Sequence, residues 1–402
     1  MADHLARTLD YIQSHRVPDT DLFCYGEGDW DDTLQPAQES MKSQMASTWT
    51  IALLYQACCG LQPLLEAAGR TDLASRFAGE AGRIKADFAD NFIFQGVLAG
   101  YVNFVDGQPL PVIHPSDTRT GIRYRLIPMT RSIIAGLLTP DQEVDHERII
   151  EGNLHYPDGV RLMDRPASFH DGVTRVFKRA EQAANVGREI GLMYTHAHVR
   201  YTEALGLLGR TRLGQELLRI SPVGQFHRLP TSEPRQRNCY FASSDADFPD
   251  RYTAASQWSR LKEGAKDPVG VRGGWRIYSS GPGIYCRQVV QHLFGLQLRD
   301  GQVVFDPVLS QEDDGMEVTM TLFGQPRTIR YHVAGGPVAG PGDTGSEDTG
   351  SDRLRVEADG RRLEGRILDL PYRKGGLEVT QGQLADAAHI DIFLAVDGQT
   401  VK

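Results

Sequence analysis

A chain of 402 residues, 40% apolar and 24% charged, has ordinary globular composition and enough length for two or three domains with cores of their own. Its formal charge of −9, from 43 basic and 52 acidic residues with no long basic block, argues against nucleic acid or an anionic membrane as partner. The opening Met-Ala-Asp-His-Leu lacks the basic-then-apolar layout of a secretion signal, and five cysteines without framework spacing fit a reducing cytoplasm.

Residues 1 to about 220 read mainly as helices. The most apolar window, Ile51 to Leu65, carries Ile51, Leu54, Tyr55, Cys58 and Leu61 on one stripe. It is interrupted by Gln56, Gly60, Gln62 and Pro63, too short and too polar to span a bilayer. Within it, Cys58-Cys59 read as buried apolar thiols. A second helix opens on Thr71-Asp72, a cap and a first-turn acid, and places Leu73, Phe77, Ala81, Ile84, Phe88 and Phe92 three or four apart. A third is expected from about Gly191 to Leu208, ended by Gly209, with Tyr194, Ala197, Tyr201 and Leu205 on one face. From about 221 to 282 the chain turns irregular. A last helix follows over Ile284 to Phe294. After Leu296 the period becomes two, in Val303 to Phe305, Met316 to Leu322, Ile329 to Val333, Leu354 onward and Ile390 to Leu394, which predicts short antiparallel strands. The Gly-, Pro- and Ser-rich residues 334–352 read as a flexible insertion. The expected domains are therefore a helical layer over 1–298 and a small β-sheet domain over 299–402.

Three polar clusters carry the chemistry. The first is Tyr25-Gly26-Glu27-Gly28-Asp29-Trp30-Asp31-Asp32-Thr33-Leu34-Gln35-Pro36, four acids around a Trp and two glycines. A ring that stacks on a pyranose beside an acid that protonates a leaving oxygen is what sugar chemistry requires. A solvated acidic turn capping a helix is the plainer alternative. The spacing matches neither an EF-hand nor a dinucleotide loop. The second cluster runs from Arg188 through Glu189 and Thr195-His196-Ala197-His198. Its histidines at i and i+2 face apart, so they form no HExxH zinc pair. The third is Arg272-Gly273-Gly274-Trp275-Arg276-Ile277-Tyr278-Ser279-Ser280-Gly281-Pro282-Gly283, leading into the last helix. Small hydroxyls and free backbone N–H groups there suit an anion, or simply a tight glycine turn.

Taken together, the clusters resemble the C-terminal portion of the cellobiose phosphorylase family (glycoside hydrolase family 94). That family carries Gly-Asp-Trp-Asn-Asp, Gln-Tyr-Thr-His-Ala and Gly-Gly-Trp-Thr-Trp-Tyr-Thr-Gly-Ser-Ala-Gly. This chain has Gly28-Asp29-Trp30-Asp31-Asp32, Met193-Tyr194-Thr195-His196-Ala197 and Gly273 to Gly283, in the same order. Asp31 in place of Asn, Thr33-Leu34-Gln35-Pro36, and the Arg276 to Gly283 version make it most similar to the 1,2-β-oligoglucan phosphorylase branch. The phosphorylase-like region of cyclic β-1,2-glucan synthases is the nearest competitor.

The resemblance implies a part of an (α/α)6 barrel followed by a small antiparallel β-sheet domain. It implies Asp32 as general acid, Trp30 as sugar platform and Glu189 as an acceptor-sugar ligand. His196, Ser279 and the backbone of Ser280 would bind phosphate. The implied reaction is inverting phosphorolysis of a β-glucan to α-glucose 1-phosphate. Phosphate is already a nucleophile, so one acid suffices where an inverting hydrolase needs two carboxylates about 6.5–9.5 Å apart. No metal or organic cofactor is implied. Relatives place a sandwich and half the barrel ahead of this region, so an N-terminal half-chain or a second copy is an expected partner, and a sugar-binding fragment without turnover is the non-catalytic alternative.

Overall fold

The computed structural model describes residues 1–167, 172–180, 190–221, 242–277, 281–335 and 353–396. The chain divides into two compact units, Met1–Tyr201 with Arg219–Gly281, and Thr202–Leu218 with Pro282–Lys402.

In the first unit the long helices stand where the apolar stripes put them. The Thr48–Ala67 helix buries Ile51, Ala52, Tyr55, Cys58 and Leu65, and tolerates Pro63 inside its last turns. The Thr71–Phe92 helix buries every residue of its predicted stripe, from Leu73 to Phe92. The two helices pack against each other. Glu80 is also buried on the second helix, where Arg16 and Arg83 pair with it. Of the two adjacent thiols only Cys58 is buried, while Cys59 is exposed, because neighbouring helical residues lie about 100° apart.

This half is not helical throughout. Met45–Ser47, Tyr101–Val105 and Gln108–Val112 form a three-stranded antiparallel sheet. The hairpin turns on Asp106 and Gly107, both at positive φ (52° and 73°), the pair that a two-residue turn needs. Leu126–Ala135 follows as a mostly buried helix, closed by Gly136 in the left-handed region. The Thr195–Leu208 helix starts four residues later than expected and ends before Gly209.

In the second unit two sheets surround one core. One sheet has the order Leu296–Arg299, Gln302–Phe305, Lys374–Thr380, Arg366–Asp369. The other runs Glu317–Leu322, Gln325–Gly335, His389–Val396, Leu354–Ala358, Arg361–Arg362. Alternate residues such as Ile329, Tyr331, Val333, Val356, Ile390 and Ile392 meet inside, as period two requires. One pairing departs from the antiparallel expectation: Gln325–Gly335 and His389–Val396 run parallel, with Thr328 opposite His389. The last strand inserts between two earlier ones, and a parallel neighbour is accessible only through a long connection. The expected insertion 334–352 begins within the Gln325–Gly335 strand, and its remainder lies outside the described residues. Among the described residues no helix is long and apolar enough to cross a membrane.

Candidate active site

The acidic cluster folds as a loop held at both ends by main chain. Tyr25 N donates to Met45 O (2.6 Å) and Gly26 N to Lys42 O (2.9 Å), while on the far side Lys178 N donates to Gln35 O (3.0 Å). Gly26 at φ 64° and Gly28 at φ 144° occupy backbone regions that side chains disfavour, which accounts for glycine at both positions.

The four acids of this loop meet four different environments. Glu27 is exposed and paired with Lys42 at 2.7 Å. Asp29 is turned inward, its side chain 2% exposed, and accepts from Ser47 Oγ at 2.6 Å. Asp31 is fully buried and accepts from Thr33 Oγ1 at 2.7 Å. Asp32 is exposed and makes no hydrogen bond or ion pair among the described residues. It is thus the carboxylate of the Asp29–Asp32 run that a substrate can reach without displacing a partner.

Beneath the loop lies Arg125, immediately before the Leu126–Ala135 helix. Its Nη2 stands 3.3 Å from Asp29 Oδ1 and 3.8 Å from Asp31 Oδ2, and its guanidinium lies 4.4 Å from the centre of the Tyr101 ring. Burial opposes its charge, and Tyr101, Asp29 and Asp31 more than offset this, so it stays above its ordinary pKa. Tyr25 completes the floor, donating to Leu34 O at 2.8 Å. Burial, reinforced by Asp29, pushes its phenol upward.

Trp30 and His196, far apart in sequence, come together here. The Trp30 ring meets Tyr194 edge-on at 4.9 Å and His196 at 5.8 Å. His196 is half-buried in the first turn of its helix. Burial first, and then the charges of Arg200 and Arg131, lower its pKa to about 4. Arg200 is one turn further along the same helix face. Arg131, on the Leu126–Ala135 helix, is held by Gln56 Oε1 at 2.7 Å. His196 is therefore neutral near pH 7, and the positive charge beside it comes from the two arginines.

Glu189, Ser279 and Ser280 lie outside the described residues. The residues that the sequence did not point to are Arg125, Arg131 and Arg200, whereas Tyr194 lay within the second motif. Arg200 had a signal in its i+4 spacing from His196. The other two arginines had none, since nothing local links them to the loop.

The depressed pKa of His196 sets a direction for stability. Folded His196 titrates near 4 and unfolded histidine near its ordinary 6.5, so the unfolded chain binds more protons between those values. This contribution is complete above pH 6.5 and is lost as the pH falls toward 4. Thermal midpoints measured at pH 7, 5.5 and 4.5 should fall steadily, and His196→Gln should make the decline shallower. An unchanged slope in the variant would contradict the burial argument.

No protein-family model matches the chain. Among solved structures a sialidase superposes with a TM-score of 0.48 at 11% identity, covering 77% of this chain and 25% of that one. Among curated proteins, the 1,2-beta-oligoglucan phosphorylase of Listeria innocua serovar 6a is 40% identical over 361 residues, 89% of this chain. The chain spans about a third (32%) of the length of that relative. Over nearly its whole length, then, this chain is similar to part of a 1,2-beta-oligoglucan phosphorylase, and this is the resemblance that its three motifs carry.

Proposed function

We propose that the chain supplies the acid and part of the phosphate site for inverting phosphorolysis of a β-glucan, β-1,2-linked, to α-glucose 1-phosphate. One observation carries this reading: Asp32 stands exposed on the loop whose Trp30 packs against His196, while its neighbours Asp29 and Asp31 are buried. Asp32 acts as the general acid toward the bridging oxygen, and Trp30 lies beside the sugar whose bond breaks. His196, neutral at pH 7, donates a hydrogen bond to phosphate, and Arg131 and Arg200 supply the charge that draws a dianion. Ser279 and the Ser280 backbone add donors, and Glu189 holds the acceptor sugar. The first 298 residues form part of an (α/α)6 barrel, with the sheet domain after them. The partners in this reading are glucan, phosphate and, to complete the ring of helices, a polypeptide bearing the relative's remaining sequence or a second copy of this chain. It acts in the cytoplasm and uses no cofactor.

The test is to incubate β-1,2-gluco-oligosaccharides and phosphate with the chain, and with a chimera in which it replaces the matching third of the Listeria phosphorylase. The chimera should release α-glucose 1-phosphate. A folded chimera that binds glucan and releases none would refute the reading. In the same assay His196→Ala should raise the KM for phosphate more than that for glucan. A hydrogen bond to a charged group contributes about 1.5–3 kcal/mol, on the order of ten- to a hundredfold. A glucan KM that rose while the phosphate KM stayed flat would remove His196 from the phosphate site.

A further inference from the structure

We propose that Arg125 is a positioning residue for this reaction, fixing Asp29 and Asp31 from beneath the loop and thereby directing Trp30 and Asp32 toward substrate. The inference rests on the phosphorolysis reading and deepens it.

Burial alternates along the loop. Asp29 and Asp31 have buried side chains, whereas Trp30 is half-buried and Asp32 exposed. The chain bends at Trp30 and turns at Asp32-Thr33, closed by Leu34 N donating to Asp31 O at 3.0 Å, so anchoring Asp29 and Asp31 inward leaves Asp32 on the outer corner of the turn. The anchor is specific. Arg125 Nη2 reaches both oxygens of Asp29, at 3.3 and 3.5 Å, and stands 3.8 Å from Asp31. The carboxylates in turn hold the loop's main chain. Asp31 N donates to Asp29 Oδ1 at 3.0 Å, and Thr33 N donates to Asp31 Oδ1 at 3.4 Å. The guanidinium therefore grips the two groups that define the backbone on either side of Trp30.

Stability alone is a poor explanation for this arrangement. Arg125 is fully buried, and its Nε and Nη1 find no hydrogen-bond partner among the described residues. A buried ionic group so incompletely satisfied contributes less to folding than apolar residues of similar volume would. What it provides is a fixed direction, and a misplaced catalytic group can lose a large part of its rate advantage.

Arg125→Lys keeps the charge and removes the planar fork. It should fold, lower kcat for phosphorolysis by about tenfold or more, and leave both KM values within about threefold. Hydrogen exchange on the chain itself gives a reading independent of turnover. The amides of Asp31 and Thr33 should exchange about tenfold faster in the variant, with those of the Thr71–Phe92 helix unchanged. Arg125→Met should show the same pattern more strongly. If it fails to fold, the Lys variant decides. Wild-type kcat together with wild-type exchange in Arg125→Lys would overturn the proposal, as would a loss carried by KM alone. If the wild-type chimera releases no glucose 1-phosphate, the phosphorolysis reading fails, and the exchange pattern alone decides whether Arg125 orients the loop.

Discussion

Asp32→Asn should abolish most phosphorolysis, by about 10²–10⁴ in rate, while leaving the thermal midpoint nearly unchanged. The expectation follows from placement. Asp32 is exposed and makes no bond within the described chain, so its amide replaces nothing structural. In the proposed reaction its role is confined to the proton it delivers as the glycosidic bond breaks. Asn has the same shape and no acidic proton, so binding survives and turnover does not. Asp29→Asn and Asp31→Asn should behave in the opposite way. Each removes a charge from the Arg125 cluster, so each should alter stability and loop order, with a smaller effect on rate. The check is kcat and thermal midpoint measured side by side for the three variants. A larger rate loss in Asp29→Asn than in Asp32→Asn would show that the acid has been assigned to the wrong position.

The largest expected effect on folding is at Arg161, whose side chain is fully buried. Its Nη2 lies 2.5 Å from Asp158 Oδ2, and its Nη1 lies 3.3 Å from Asp245 Oδ1 and 2.5 Å from Gly191 O. One guanidinium thus joins the turn at Asp158, the strand containing Asp245 and the segment that leads into the His196 helix. Arg161→Met would withdraw the guanidinium from two buried carboxylates. Breaking a buried pair from one side costs about 3–5 kcal/mol, which for a chain of this length lowers the midpoint by about 4–6 °C. Adding Asp158→Asn and Asp245→Asn to Arg161→Met should recover much of that loss, because the penalty comes from the abandoned charges. Denaturant unfolding of the single and triple variants tests this. A single variant within about 1 kcal/mol of wild type would mean that the charges are solvated after all.

What could be read locally was read well. The stripe Leu73, Phe77, Ala81, Ile84, Phe88 and Phe92 is buried throughout, because helical periodicity is a property of the chain itself. The strands after Leu296 appear for the same reason. The Tyr101–Val112 hairpin was missed amid the helical pattern, although Asp106-Gly107 flanked by Tyr-Val-Asn-Phe-Val signals it. The same Asp-Gly pair turns the hairpins at Asp300 and Asp359. The helix boundary at Thr195 and the parallel strand pair depended on packing partners distant in sequence, which no local pattern encodes.

For the site the division is sharper. The sequence by itself determined that acids, an aromatic ring and flexible glycines are concentrated at Gly26 to Asp32, and that His196 belongs with them by motif. Residue type alone could not separate Asp29, Asp31 and Asp32; within the sequence only the motif resemblance singled out Asp32. The tertiary structure distinguishes them physically, by bringing Arg125 from a segment 96 residues away to lie beneath Asp29 and Asp31 and leaving Asp32 exposed. The physical reason is that a carboxylate's role depends on solvation and neighbouring charge, and both are set by segments that meet only when the chain folds.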